Sequence, residues 1–106
     1  MEASGAKLVI EDLKLKGIKY LFGLSSTESL PLLDEVFLTP EISYVQSQHE
    51  QGAIYMANGY ARATRRASVC LVGPGPGATN CQSGVAQAYY SSLPTVLIGV
   101  GNVYAR

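Results

Sequence analysis

Four short runs constrain this chain more than any other feature: Tyr20-Leu21-Phe22, Ile42-Ser43-Tyr44-Val45, Ser68-Val69-Cys70-Leu71-Val72 and Thr95-Val96-Leu97-Ile98-Gly99-Val100. The third is apolar throughout except at its start, and Val96-Leu97-Ile98 in the fourth carries no charge. A strand with water on one face alternates apolar and polar residues, whereas a strand covered on both faces need not. Segments with helical spacing, not hairpin turns, separate the runs. Strands of this kind alternating with helices predict a parallel sheet with helices on both faces, a doubly wound α/β layer. The strand order expected for such a layer is 2-1-3-4.

The intervening segments carry their own start and stop signals. Ser4 can cap an opening helix with the apolar stripe Ala6, Val9, Ile10 and Leu13, and Gly17 supplies a left-handed stop. Gly23 closes the first strand. Ser25 and Glu28 follow at capping-box spacing, ahead of a helix with Leu30, Leu33 and Phe37 on one face. Pro31 must lie in or near the first turn, so that start can slip to Ser29. Pro40 breaks the chain before the second strand. From about His49 to Ala63 the spacing predicts a helix with Ala53, Ala57, Tyr60 and Ala61 on one face, and its small residues predict close packing. Gly73-Pro74-Gly75-Pro76-Gly77 then turns the chain into a helix over Ala78 to Tyr90, with Cys81, Val85 and Ala88 inward.

Composition narrows the function classes. With 106 residues, 47% hydrophobic and 15% charged, the chain has enough apolar material for one folded domain. Eight Lys+Arg balance eight Asp+Glu, and a formal charge of +0 exerts no pull on nucleic acid or an anionic membrane. The same neutrality leaves little repulsion between copies, so association is expected. No apolar run approaches the ~20 residues of a membrane span, and Met1 to Gly5 does not read as a signal peptide. Cys70 and Cys81 have no CxxC spacing and lie in mostly apolar segments, which fits a reducing, cytoplasmic setting. The chain stops a few residues after its fourth strand, which would leave an apolar edge open, and a truncated domain is expected.

Two segments could carry chemistry. Glu50 lies where the second strand hands over to the third helix, and sites in open α/β sheets form at the carboxyl ends of strands. From position alone it reads either as a functional carboxylate or as a counter-charge to the helix dipole. His49, the only histidine, reads as a polar turn residue, and with no cluster of partners it does not suggest a metal site. Gly73 to Asn80 could hold an anion on free backbone N–H groups, or simply pack a helix tightly on a strand. It lacks the Lys of a P-loop and the glycine spacing of a dinucleotide fingerprint. Arg62, Arg65 and Arg66 oppose the negative end of the third helix. Both cysteines fall on core-facing positions, where thiols are usually inert.

Taken in order, these segments resemble the start of the pyrimidine-binding (PYR) domain of thiamine-diphosphate enzymes, in the acetolactate synthase and 2-hydroxyacyl-CoA lyase branch. The resemblance rests on Gly5-Ala6, Tyr20-Leu21-Phe22-Gly23, His49-Glu50-Gln51-Gly52-Ala53 and Ala57-Asn58-Gly59-Tyr60-Ala61-Arg62. It continues through Gly75-Pro76-Gly77-Ala78-Thr79-Asn80 and Leu93-Pro94-Thr95-Val96-Leu97-Ile98, so it covers nearly the whole chain. No single piece is specific, but their order and spacing are. The resemblance implies that Glu50 is the carboxylate that hydrogen-bonds the aminopyrimidine ring of thiamine diphosphate and promotes loss of the thiazolium proton. A carboxyl group with that task works best partly desolvated, with its pKa raised.

Other roles follow from the same resemblance. Gly75, Pro76 and Asn80 would lie against the cofactor, and Ser25, Ser26 and His49 on the substrate side. Many relatives have a Pro-Gly pair after the position of Gly23, where this chain has Leu24-Ser25-Ser26-Thr27, so reaction and substrate do not carry over. The diphosphate- and Mg2+-binding domain, with its Gly-Asp-Gly motif, is not in this sequence. The expectation is therefore a partial PYR domain over 1–106, a fragment or small subunit of an enzyme working on carbon–carbon bonds next to a carbonyl. It is expected to be inactive alone, to form homo-oligomers, and to need a separate diphosphate-binding domain or subunit. The alternatives are a non-catalytic oligomerising assembly module and, more remotely, a flavodoxin-like nucleotide-binding domain.

Overall fold

A computed structural model describes residues 2–101. Helix α1 (Gly5–Leu15) leads to β1 (Tyr20–Gly23), a 3-10 turn (Thr27–Ser29) continuous with α2 (Leu30–Phe37), and β2 (Ser43–Gln46). Then come α3 (Glu50–Thr64), β3 (Ser68–Val72), the single turn α4 (Pro76–Thr79), α5 (Gln82–Tyr90) and β4 (Thr95–Gly99). The four strands form one parallel sheet in the order β2-β1-β3-β4. This is the order the sequence predicted.

Strand alternation divides the core between the two faces. Phe22, Cys70 and Val72 point to one side, where they pack with Ala53, Ile54 and Ala57 of α3 and with Cys81. Leu21 and Val69 point to the other, against Ile10 of α1, Val36 of α2 and Ile42. Helices therefore cover both faces. Strand β3 is buried at all five positions because it is central in the sheet and covered above and below. Each buried Leu, Ile or Val on these faces contributes about 1.5–3 kcal/mol relative to exposure. The stripe Ala53, Ala57 and Ala61 lets α3 sit close to the strands.

One polar group interrupts that stripe. Asn58 is 2% exposed, and its Nδ2 donates to Gly84 O and to Gln87 Oε1, both at 2.9 Å. Its Oδ1 accepts from Thr95 Oγ1 at 2.9 Å, and Ser68 Oγ donates to Thr95 Oγ1 at 3.3 Å. The cluster pins α3, α5, β3 and β4 together with every side-chain group of Asn58 satisfied, as burial requires.

The structure corrects several local expectations. The capping box is built by Ser26 and Ser29, not Ser25 and Glu28: each of their hydroxyls accepts from the other's backbone N–H, at 3.3 and 2.9 Å. Proline explains the later start. A helix begun near Ser25 would bring Pro31 deep enough to forfeit an i→i−4 bond, whereas a start at Leu30 leaves it in the first turn. The face expected to carry Leu30, Leu33 and Phe37 is largely uncovered, with Leu30 49% and Phe37 89% exposed. The helix expected over Ala78 to Tyr90 starts earlier, with Pro76 at its first position, and breaks at Asn80-Cys81. Across that break Cys81 and Ala88 are buried as expected, whereas Val85 is 37% exposed and lines a groove with Ile54, Ala88 and Leu97. Gly17 adopts φ +78 and ends the first helical segment as expected, whereas Arg65 fills the left-handed cap of α3.

Candidate functional site

The carboxyl ends of β1, β2 and β3 release three loops on one side of the sheet. Between β1 and β3 the chain direction of the winding reverses, and open α/β sheets form their crevices at such points. Glu50, the first residue of α3, stands beside this point and is half-buried. Its Oε1 accepts from Asn80 Nδ2 at 3.0 Å. Its backbone oxygen accepts from Cys81 Sγ at 3.6 Å. Its Oε2 lies where a side chain on Gly77 would meet it, 3.4 Å from the position of a Cβ. The turn at the start of α4 thus wraps the carboxylate from one side.

Electrostatics at Glu50 run against the expectation of a raised pKa. The Asn80 hydrogen bond holds its carboxyl below the usual range, with help from its own backbone N–H and nearby His49, while burial opposes them. The carboxylate is too shallowly buried here for desolvation to win. The two thiols behave differently. Burial, reinforced by Cys81, pushes Cys70 up to about 12, and burial also raises Cys81. Both are free, buried and uncharged at neutral pH, as core-facing thiols should be.

The other sequence-predicted residues divide into two groups. Gly75 and Pro76 adjoin Glu50's partner segment: Gly75 caps α4 at φ +62, a conformation that favours glycine, and both residues are exposed. Ser26 packs on Gly73, where a Cβ would lie 2.7 Å from its Oγ, so the loops after β1 and β3 are in direct contact. Ser25 turns away, donating to Gln46 Oε1 at 3.0 Å at the end of β2. It lines a groove of about 480 Å³ with Leu33, Val36, Ile42 and Tyr44 that does not include Glu50. His49 is exposed and caps α3, its Nδ1 accepting from Gln51 N at 3.0 Å. The ring is oriented by that bond.

Sequence reasoning missed two polar roles. It placed Asn80 near a cofactor and did not pair it with Glu50, because the helix break that brings them together has no simple signature. Asn58 did carry a signal, an amide inside a stripe of alanines, where an unsatisfied polar group would be costly. Among the described residues, no group of three His, Cys, Asp or Glu could hold a metal ion, and no helix is long and apolar enough to cross a membrane.

Comparison with known proteins identifies the family of the domain. The family described as "Thiamine pyrophosphate enzyme, N-terminal TPP binding domain" matches residues 3–105. Acetolactate synthase from Arthrospira platensis is 41% identical over 98 residues, covering 90% of this chain and 17% of that protein. The acetolactate synthase large subunit of Haemophilus influenzae is 40% identical over 95 residues, again 90% and 17%. The acetolactate synthase isozyme 3 large subunit of Escherichia coli is 42% identical over 95 residues, with the same coverage. The chain thus spans about one sixth of the length of these relatives. A parallel sheet in the order 2-1-3-4 and a match over 3–105 lead to one conclusion: the chain belongs to the thiamine pyrophosphate enzyme family and corresponds to its N-terminal, cofactor-binding domain.

Proposed function

We propose that this chain forms the pyrimidine side of a thiamine-diphosphate site, in an enzyme that makes or breaks a carbon–carbon bond next to a carbonyl. Its substrates would be 2-oxo acids or 2-hydroxyacyl thioesters. The observation that carries this reading is the Glu50 carboxylate at the carboxyl ends of the strands, with Oε1 engaged by Asn80. An aminopyrimidine offers a ring nitrogen that can share a proton, and a half-buried carboxylate is a fitting acceptor. Its Oε2 is not taken up by Asn80 and faces Gly77, which carries no side chain; a Cβ there would stand 3.4 Å away. The pyrimidine end of the cofactor therefore fits the residues present.

The diphosphate end draws on other residues in this reading. Mg2+ and the phosphates would be held by a separate diphosphate-binding domain or subunit, and residues 1–106 form a partial PYR domain that is inactive alone. Thiamine diphosphate, when bound, supplies the nucleophilic carbon and the electron sink. Glu50 holds and returns the proton shared with the pyrimidine ring. Gly75 and Pro76 shape the wall beside it, and Asn80 steadies the carboxylate. Ser26 and His49 border the substrate side, while Ser25, turned to Gln46, lines the neighbouring groove. Two free buried thiols suit a reducing, cytoplasmic setting.

Calorimetry tests this division of the site. The purified chain should bind thiamine diphosphate with Mg2+ weakly or not at all, and binding should appear once a diphosphate-binding partner is added. Tight, Mg2+-dependent binding to the chain alone would overturn the division. No binding with any such partner would favour a non-catalytic assembly module.

The assembled state is a dimer or higher oligomer in either case. Strand β4 is an edge strand among the described residues, with Val96 48% exposed. On α5, Tyr89 and Tyr90 are 89% and 91% exposed. An uncharged edge strand is a template for pairing, and a formal charge of +0 offers little repulsion. Sedimentation at micromolar concentration should show association; a monomer whose β4 amides exchange slowly would reject it.

A further inference from the structure

We infer that Asn80 is the positioning residue of Glu50: its side-chain amide occupies Oε1 and so assigns the transferable proton to Oε2. The use of that proton rests on the pyrimidine-site reading above; the pairing itself does not. Glu50 and Asn80 are thirty positions apart and meet because the helix after β3 breaks. Asn80 N donates to Pro76 O at 2.9 Å and Cys81 N to Ala78 O at 3.1 Å, which closes the single turn of α4 and satisfies its backbone. The Asn80 side chain is then free to reach back, and Nδ2 lies 3.0 Å from Glu50 Oε1. The opposite orientation of the amide would set a carbonyl oxygen against the carboxylate, so the network assigns the donor.

That donor has a directional consequence. A proton on Oε1 would confront the Asn80 N–H and forfeit its hydrogen bond, whereas a proton on Oε2 leaves the bond in place. Oε2 faces Gly77, the one residue of this turn without a side chain to cover it. The rest of the junction keeps the pair in register. Cys81 Sγ donates to Glu50 O, and Gln51 Nε2 donates to Ser83 Oγ at 3.0 Å, so the start of α3 is tied to the start of α5. The other titratable groups around the carboxylate are His49 on the preceding residue and the thiols of Cys81 and Cys70. The thiols remain protonated in the core and add no charge.

The test is a carbon-detected NMR titration of the Glu50 side-chain carboxyl in the full chain. In Asn80→Ala its midpoint should move upward. In Asn80→Asp, which keeps the shape but replaces the donor by a second carboxylate, it should move further. In an assembled enzyme, Asn80→Ala should also lower turnover by about tenfold, as expected for removing a hydrogen bond to a charged group, with the acid limb of the pH profile moving the same way. An unchanged Glu50 midpoint in both variants, with the amide spectrum preserved, would overturn the proposal. Failure of both variants to fold would overturn it too, by making Asn80 a structural residue. The two readings fail separately. A shifted midpoint without any cofactor binding rejects the pyrimidine site and keeps the pair. An unchanged midpoint with cofactor bound does the reverse.

Discussion

Replacing Glu50 by Gln is expected to lower turnover of the assembled enzyme by about 10²–10⁴-fold, the usual loss when a positioned general acid–base group is removed. Gln keeps the length and volume of the side chain, so little else should change. Glu50 is half-buried at the first position of α3 and contributes nothing to either hydrophobic cluster. The structural cost is then the loss of a negative charge at a helix N-terminus, typically 0.3–1 kcal/mol at an exposed site. It also has a pH sign. The carboxyl of Glu50 titrates below its ordinary value, so its contribution is present above the unfolded pKa and is lost as pH falls through the folded one. The Gln variant should therefore lose less stability than the parent on acidification. Turnover within a few-fold of the parent, in a variant with an unchanged melting profile, would reject the assignment of Glu50.

The centre of the sheet was legible in the sequence because burial leaves a mark in β1 and β3, while β2 and β4 at the edges are only partly covered. Ser68 to Val72 reads as a central strand from its composition alone, and it is buried throughout. Helix positions were less legible where a single residue type decides a boundary. Pro31 did signal the slip of α2 to a start at Ser29, its N-cap, whereas Pro76 moved the next helix to an earlier start that was not expected. Leu30, Leu33 and Phe37 were grouped on one face by spacing and do line one groove, yet spacing does not say whether another element covers that face, and Leu30 and Phe37 are exposed. The end of a parallel strand is where such sheets form sites, and the place of Glu50 after β2 and at the start of α3 was legible. Its electrostatic state was not. That depends on one amide from a distant turn, and on a depth of burial too small for desolvation to dominate.

Gly23→Ala is expected to destabilise the chain by about 3 kcal/mol or more, a large share of the 5–15 kcal/mol that holds a domain of this size. Gly23 ends β1 and pairs with Gln46 on one side and Leu71 on the other. A methyl group there would lie 2.3 Å from Leu71 O and 3.3 Å from Leu71 C, both backbone atoms of β3. It would also come 3.2 Å from the Tyr44 hydroxyl, which is buried without a hydrogen-bond partner. A side chain in the way can rotate; a neighbouring strand cannot. Relief requires β1 and β3 to part at the point where their loops cross, which would also separate Ser26 from Gly73. At roughly 4–8 °C per kcal/mol, the melting temperature should fall by more than about 10 °C. Gly99→Ala, at the end of the edge strand β4, is the matched control, because a Cβ there meets nothing within 4 Å. It should change stability by no more than about 0.5 kcal/mol. Equal melting shifts for the two variants would show that the β1–β3 approach is looser than 2.3 Å implies.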